Sequence, residues 1–279
     1  MPELPEVETV RRGLEPVLVG ARLARVEARR PDLRFPLPDG FVQRLTGARV
    51  ERLGRRGKHL LFRLDRDATL LVHLGMTGRF EVGAPKRKDR AIGEDKHAHV
   101  IFETETGVRV TFIDPRRFGF MDILEGEEAL AARLAVLGPE PLSEDFTPAW
   151  LKAAFAGRRQ GPKTLLLDQG VVAGLGNIYV CEALYRAGIS PTRPAGAIRP
   201  ARLARLVEAI RAVLVEAIAQ GGSTLRDFAA ADGELGYFQH SFEVYDRESQ
   251  PCVTKGCRGV VRRTLQAGRA TFHCPVCQR

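Results

Sequence analysis

Met1-Pro2-Glu3-Leu4-Pro5-Glu6-Val7-Glu8 opens the chain. Its acidity and its two closely spaced prolines suit neither a leader nor a disordered tail. Pro2 is small enough for the initiator methionine to be removed, which leaves a secondary amine at the terminus. An α-amino group titrates near pH ~8, so a neutral, nucleophilic fraction exists at physiological pH. A secondary amine that attacks a carbonyl carbon yields an iminium ion, an electron sink for bond cleavage. Glu3 and Glu6 sit close enough to donate or accept the protons that such chemistry moves. The same residues also suit a plain helix start, where proline is tolerated in the first turn and carboxylates favour the positive end of the dipole. The local sequence leaves both readings open.

Just beyond, Val7, Val10, Leu14, Val17 and Leu18 recur at helical spacing, with Arg11, Arg12 and Glu15 on other faces and Gly20 as a stop. Such a helix docks by its apolar stripe and holds in place a terminus that would otherwise fray. From about residue 23 to residue 124 the period changes to two, with short apolar runs such as Leu60-Leu61-Phe62-Arg63-Leu64, Leu70-Leu71-Val72-His73-Leu74 and Val108-Arg109-Val110-Thr111-Phe112. Glu105-Thr106-Gly107 reads as a hairpin turn. Many short strands with frequent turns predict a β-sandwich or barrel. Residues 84–97, with Lys86, Arg87, Lys88 and Arg90, read as a mobile basic loop.

Leu137-Gly138-Pro139-Glu140-Pro141-Leu142 punctuates the chain as a linker. Beyond it the pattern is helical. Leu203, Leu206, Val207, Ile210, Val213, Leu214 and Ile218 mark one amphipathic helix ended by Gly221 and Gly222, and a shorter helix spans about 178–187 before Gly188. No internal repeat or low-complexity tract is present.

Composition narrows the class. A chain of 279 residues, 44% hydrophobic and 28% charged, is long enough for two domains with real cores. No apolar run approaches the ~20 residues needed to span a bilayer, and no secretory leader pattern opens the chain, so the expected compartment is the cytoplasm. The formal net charge of +9 and pI of about 9.7 point to a polyanionic partner. Residues 249–279 concentrate that charge, holding Lys255, Arg258, Arg262, Arg263, Arg269 and Arg279 with no acidic residue.

The same segment carries four of the five cysteines as Cys252-x4-Cys257 and Cys274-x2-Cys277, sixteen residues apart. Two thiolate pairs at this spacing close a tetrahedral zinc site with no open position, hence a structural zinc ribbon built on a hairpin that turns at Gly268. The hairpin would carry Arg262, Arg263 and Arg269 toward a phosphate backbone. Cys181 reads as a buried apolar residue.

Three further motifs follow strands or open helices. Gly174-Leu175-Gly176-Asn177-Ile178-Tyr179 places two glycines before a helix N-terminus, suited to clamping a phosphate by amides and Asn177. Asp114-Pro115-Arg116-Arg117-Phe118-Gly119 puts arginines beside an aromatic on a turn, suited to entering a groove between bases. His73-Leu74-Gly75-Met76-Thr77-Gly78 is a second strand-end turn, and Lys58 starts a strand after Arg55-Arg56-Gly57. No HExxH or Walker motif appears.

Together these pieces resemble the formamidopyrimidine-DNA glycosylase family, the bacterial 8-oxoguanine glycosylases with AP-lyase activity. The resemblance runs from Pro2 to Arg279 and is carried by PELPEVE, HLGMTG, DPRRFG, LGPEPL, GNIY and the terminal RATFHCPVCQR. It implies an α+β fold of two domains: an N-terminal β-sandwich with the opening helix (1–136) and, after the linker (137–142), a helix–two-turns–helix domain (143–244) with a β-hairpin zinc finger (245–279). It also implies roles. Pro2 would be the nucleophile at sugar C1′, Glu3 the acid/base on the deoxyribose, and Lys58 a neutraliser of phosphates beside the lesion. Met76, Arg116 and Phe118 would fill the gap left by a flipped base, with Arg116 pairing to the opposite cytosine. Lys163, Asn177 and Arg269 would contact DNA phosphates, and the stretch 223–228, including Ser223, Asp227 and Phe228, would read the flipped purine. Cys252, Cys257, Cys274 and Cys277 would hold one structural Zn2+.

The implied activity is excision of oxidised purines from double-stranded DNA, followed by strand nicking at the abasic site, by a monomer. The first cysteine pair departs from the family's usual x2 spacing, which puts the finger geometry in question rather than the metal. Two rivals are a sister enzyme that prefers oxidised pyrimidines, opposed by Met76, Arg116 and Phe118, and an inactive zinc-ribbon DNA binder, which leaves the acidic terminus unexplained.

Overall fold

The computed structural model describes residues 1–83, 95–223 and 236–279. They form two units, Met1–Ala135 with Gln220–Tyr237, and Val136–Ala219 with Phe238–Arg279. Most of the expected basic loop, including Lys86, Arg87, Lys88 and Arg90, and the expected lesion-reading residues Asp227 and Phe228 lie outside the described residues.

The first unit begins with helix α1 (Leu4–Leu18), started by a capping box in which the Glu6 carboxylate accepts the Glu3 N–H at 2.8 Å. Its stripe of Leu4, Val7, Val10, Leu14 and Leu18 is fully buried. There follow β1 (Leu23–Ala28), α2 (Phe41–Leu45), β2 (Val50–Arg56), β3 (His59–Leu64), β4 (Ala68–His73), β5 (Arg79–Gly83), β6 (Ala98–Thr104), β7 (Arg109–Ile113), β8 (Phe120–Glu125) and α3 (Gly126–Leu134). The strands make two antiparallel four-stranded sheets, ordered β1-β6-β7-β5 and β2-β3-β4-β8. Phe80 and Phe102 of the first sheet meet Phe62 of the second, Phe112 packs on Phe80, and Val7, Val10 and Leu14 of α1 join the same core.

Alternation fails in β4, where residues 68 to 72 are all buried. Leu71 and Leu61 turn away from the sandwich core toward Leu130 of α3, so both faces of that sheet are covered there.

The second unit holds α4 (Pro148–Phe155), α5 (Pro162–Leu166), α6 (Asn177–Arg186), α7 (Pro200–Ala219), β9 (Arg262–Gln266) and β10 (Arg269–His273). The α7 stripe of Leu203, Leu206, Val207, Ile210, Val213 and Leu214 is buried, and α7 packs on α6. Two turns join α5 to α6. Gln169 staples them, accepting from the Gly174 N–H (2.8 Å) and donating to the Leu175 carbonyl (2.9 Å). The β9–β10 hairpin turns through Ala267 and Gly268, both at positive φ.

By contacts, Gln220 to Ser223 group with the first unit, where the Glu6 carboxylate accepts from both the N–H (2.8 Å) and the hydroxyl (3.1 Å) of Ser223. In the finger, Val261, Phe272 and Cys274, with Val244 just before it, share one core with Cys181 and Tyr185 of α6.

Candidate active site and metal centre

Pro2 and Glu3 are buried at the foot of α1, and Met1 is 46% exposed. With Met1 in place the Pro2 nitrogen is an amide, so the amine exists only after Met1 is removed. Glu3 is the N-cap residue, in extended backbone. Glu6, weighed from sequence as a proton carrier, also has a structural part. Its carboxylate takes three donors, from Glu3 and Ser223, and so fixes the chain terminus to the 223 segment. Gly222 lies so close to Glu6 that a Cβ there would press on its carboxylate, and it sits at φ +79.

Lys58 is buried in the tight turn between β2 and β3. Arg55, on the strand leading into that turn, bonds the Glu8 carboxylate of α1 at 3.2 Å, and both partners are largely buried. Arg11 and Arg12 also bond Glu8 and hold its carboxyl below the usual range against the opposing effect of burial. The helix that carries Pro2 and the hairpin that carries Lys58 are thereby locked together.

Two strand-end turns carry Met76, Arg116 and Phe118. Their side chains are exposed, Met76 at 39% and Phe118 at 40%, and the Arg116 guanidinium lies 4.6 Å from the centre of the Phe118 ring. A Cβ on Gly75 would collide with the backbone of Phe118 and Gly119, and Gly75 has φ +65. Here glycine is required for the two turns to interlock. Sequence reasoning missed the polar groups beneath them, although the quoted motifs contain them all. His73 Nδ1 accepts the Gly75 N–H at 2.9 Å. Asp114, fully buried, accepts from the Thr77 hydroxyl (2.6 Å) and the Gly119 N–H (2.7 Å).

Burial holds His73 down to about 3 and His59 to about 4. The two rings lie 5.1 Å apart, and His73 stacks on Phe120 at 5.3 Å. Both imidazoles are neutral at physiological pH, and His59 Nδ1 donates to the Arg56 carbonyl at 3.3 Å.

In the second unit, Asn177 is the first residue of α6 and donates from Nδ2 to the Ala270 carbonyl at 2.9 Å. Arg269, next to Ala270, is exposed. Lys163, expected at a DNA phosphate, is instead fully buried, with its ammonium donating to the Ala270 carbonyl (2.7 Å) and the Thr271 hydroxyl (2.6 Å). Burial pushes its pKa down, opposed by Cys181, and Arg269 pushes it down further. Lys163 and Asn177 grip the same carbonyl, so both steady the strand that presents Arg269. Glu182, also missed, accepts the N–H groups of Glu243, Val244 and Tyr245 at 2.8–3.0 Å and anchors the lead-in to the finger.

Cys252, Cys257, Cys274 and Cys277 bring four sulfurs within 4.8 Å of one another, with pairs at 3.3, 3.7 and 3.8 Å. A tetrahedron with metal–sulfur bonds of about 2.3 Å has edges of about 3.8 Å, so the four thiols suit a metal ion. The x4 knuckle closes normally. Cys257 N–H bonds the Thr254 carbonyl at 3.0 Å, and Cys257 Sγ accepts the Gly259 N–H at 3.2 Å.

A sandwich with its helix capped at Glu3, and a second unit joining α5 and α6 by two turns to a four-thiol hairpin, define a protein of the helix–two-turns–helix class. Residues 1–121 match the model of the formamidopyrimidine-DNA glycosylase N-terminal domain, and residues 137–229 match that of its H2TH domain. A formamidopyrimidine-DNA glycosylase of Phenylobacterium zucineum is 66% identical with both chains fully covered. A Lactococcus lactis FPG mutant, solved with Fapy-dG-containing DNA, superposes with a TM-score of 0.90 at 33% identity over the whole of both chains. The Lactococcus lactis Fpg solved with abasic-site DNA gives 0.89 at 33% identity over 99% of each. The chain belongs to the formamidopyrimidine-DNA glycosylase family.

Proposed function

We infer that this chain is a bifunctional DNA glycosylase and AP lyase of base-excision repair, which releases 8-oxoguanine and formamidopyrimidines from double-stranded DNA. The observation that carries the reading is the buried Pro2–Glu3 terminus, held by Glu6 and Ser223, in a chain of this family. Freed of Met1, the Pro2 amine attacks C1′, the damaged base leaves with the glycosidic electrons, and an iminium forms as the sugar ring opens. Glu3 moves protons on the deoxyribose. The iminium acidifies the neighbouring C2′ proton, and elimination expels first the 3′ and then the 5′ phosphate.

A base must leave the stack before such chemistry reaches it. Met76 and Phe118 would fill the vacated space and Arg116 would meet the opposite cytosine, a role that suits their shared exposure on adjoining turns. Lys58, Asn177 and Arg269 would face phosphates, with Lys163 holding the Arg269 strand. Ser223, Asp227 and Phe228 would belong to the segment that reads the flipped purine. The ion at the four cysteines would be Zn2+, which supplies folding energy to the hairpin and takes no part in bond breaking. Among the described residues no helix is long and apolar enough to cross a membrane, and we place the working monomer in the bacterial cytoplasm, on DNA.

Borohydride reduction of the enzyme on a duplex with one 8-oxoguanine opposite cytosine should trap a covalent adduct, and mass spectrometry should locate it at Pro2. Base release without an adduct would mean a monofunctional glycosylase. Neither release nor adduct, despite tight binding, would leave a DNA-binding module.

A further inference from the structure

The turns bearing Met76 and Arg116-Arg117-Phe118 come from different parts of the chain, and the Thr77 hydroxyl joins them by hydrogen bonds. Thr77 Oγ1 donates to Asp114 Oδ1 at 2.6 Å and accepts the Arg116 N–H at 3.2 Å. The other oxygen of Asp114 accepts the Gly119 N–H at 2.7 Å, on the far side of Phe118. Thr77 and Asp114 are 8% and 0% exposed, so neither side chain reaches a ligand itself. The exposed side chains beside these anchors include Met76, Pro115, Arg116, Arg117 and Phe118. The Asp114 main chain has separate restraints: its carbonyl accepts from Arg117 N–H (3.1 Å) and His99 Nε2 (3.0 Å). Deleting the Thr77 hydroxyl therefore removes this hydrogen-bonded link and leaves the packing of Gly75 against Phe118 and Gly119 in place.

We propose that the Thr77–Asp114 pair is a positioning device that sets discrimination of the base opposite the lesion. This rests on the glycosylase reading above. Arg116 must offer its guanidinium at a fixed height and angle to favour one opposite base, and hydrogen-bond recognition is steep in both. The Thr77 hydroxyl fixes the Arg116 backbone nitrogen, and stacking on Phe118 fixes the guanidinium plane. A threonine hydroxyl serves as donor and acceptor at once, as this relay requires. Serine preserves the relay, whereas alanine leaves the Arg116 N–H and Asp114 Oδ1 without that partner.

The test is single-turnover excision from duplexes with 8-oxoguanine opposite cytosine or adenine, beside nicking of a preformed abasic site in single-stranded DNA, which presents no opposite base. Thr77→Ala should slow excision opposite cytosine and shrink the cytosine-over-adenine rate ratio by about tenfold, the scale of one lost hydrogen bond. Nicking of the single strand should stay within about twofold, and Thr77→Ser should restore the ratio. Asp114→Asn provides a second variant. It should reduce the same ratio, and the Thr77→Ala/Asp114→Asn double variant should do no worse than the more affected single. A wild-type ratio in Thr77→Ala, or an equal loss on the single strand, would overturn the inference alone. A wild-type chain inert on every substrate would overturn the glycosylase reading with it.

Discussion

The resemblance puts Lys163 at a DNA phosphate, and its distant tertiary partners give it a structural setting. This lysine is inside the second unit, its acceptors Ala270 and Thr271 107 and 108 positions away. Its partners predict its phenotype. Lys163→Met should remove about 1–3 kcal/mol of stability by leaving buried acceptors short of a donor, while the salt slope of duplex binding stays as in wild type. Arg269→Ala should leave the melting temperature unchanged and reduce that slope by about one ion. Thermal melts and binding titrations across salt would separate the two, and a reduced slope in Lys163→Met would restore it to the DNA surface. Glu6 is a parallel case. Its nearness to Pro2 suggests proton transfer, but its partner Ser223 lies 217 positions on, beyond any local pattern.

At the scale of elements, what was legible followed from periodicity and turn chemistry. The α1 stripe, the 105–107 turn, the Gly188 stop and the cysteine hairpin all depend on neighbours within a few positions. Strand partners, the second covered face of β4 and the bond of Ser223 to Glu6 depend on contacts set by the whole chain, and no spacing encodes them. The β3–β4–β8 stack also makes an unanticipated pH prediction. Against the ordinary value of 6.5, His59 and His73 are depressed to about 4 and about 3. The unfolded chain therefore binds more protons below pH 6.5, so stability is full above that value and falls as pH drops toward 4 and 3. Melting temperature should decline over this window, and His59→Phe should flatten part of the decline. An unchanged slope in that variant would mean the pair is not the acid-sensitive element.

For the molecule as a whole, the finger and α6 share one core, so metal loss should spread beyond the hairpin. Chelation should abolish tight duplex binding and lower the melting temperature of the second unit, while the sandwich keeps its β-sheet circular dichroism. Retained binding after verified metal removal would make the four-cysteine site dispensable.

The bond between Glu6 and Ser223 bears on synthesis as well as on the finished protein. The ribosome delivers the sandwich strands first, but the segment whose Ser223 meets Glu6 emerges roughly a hundred residues after Ala135. At about 5–20 residues per second, the nascent first unit waits roughly 5–20 s for its last piece, with most of the second unit made in between. The contact between Glu6 and Ser223 is thus a late event in translation, and a gene cut at the apparent linker would encode a sandwich that lacks it.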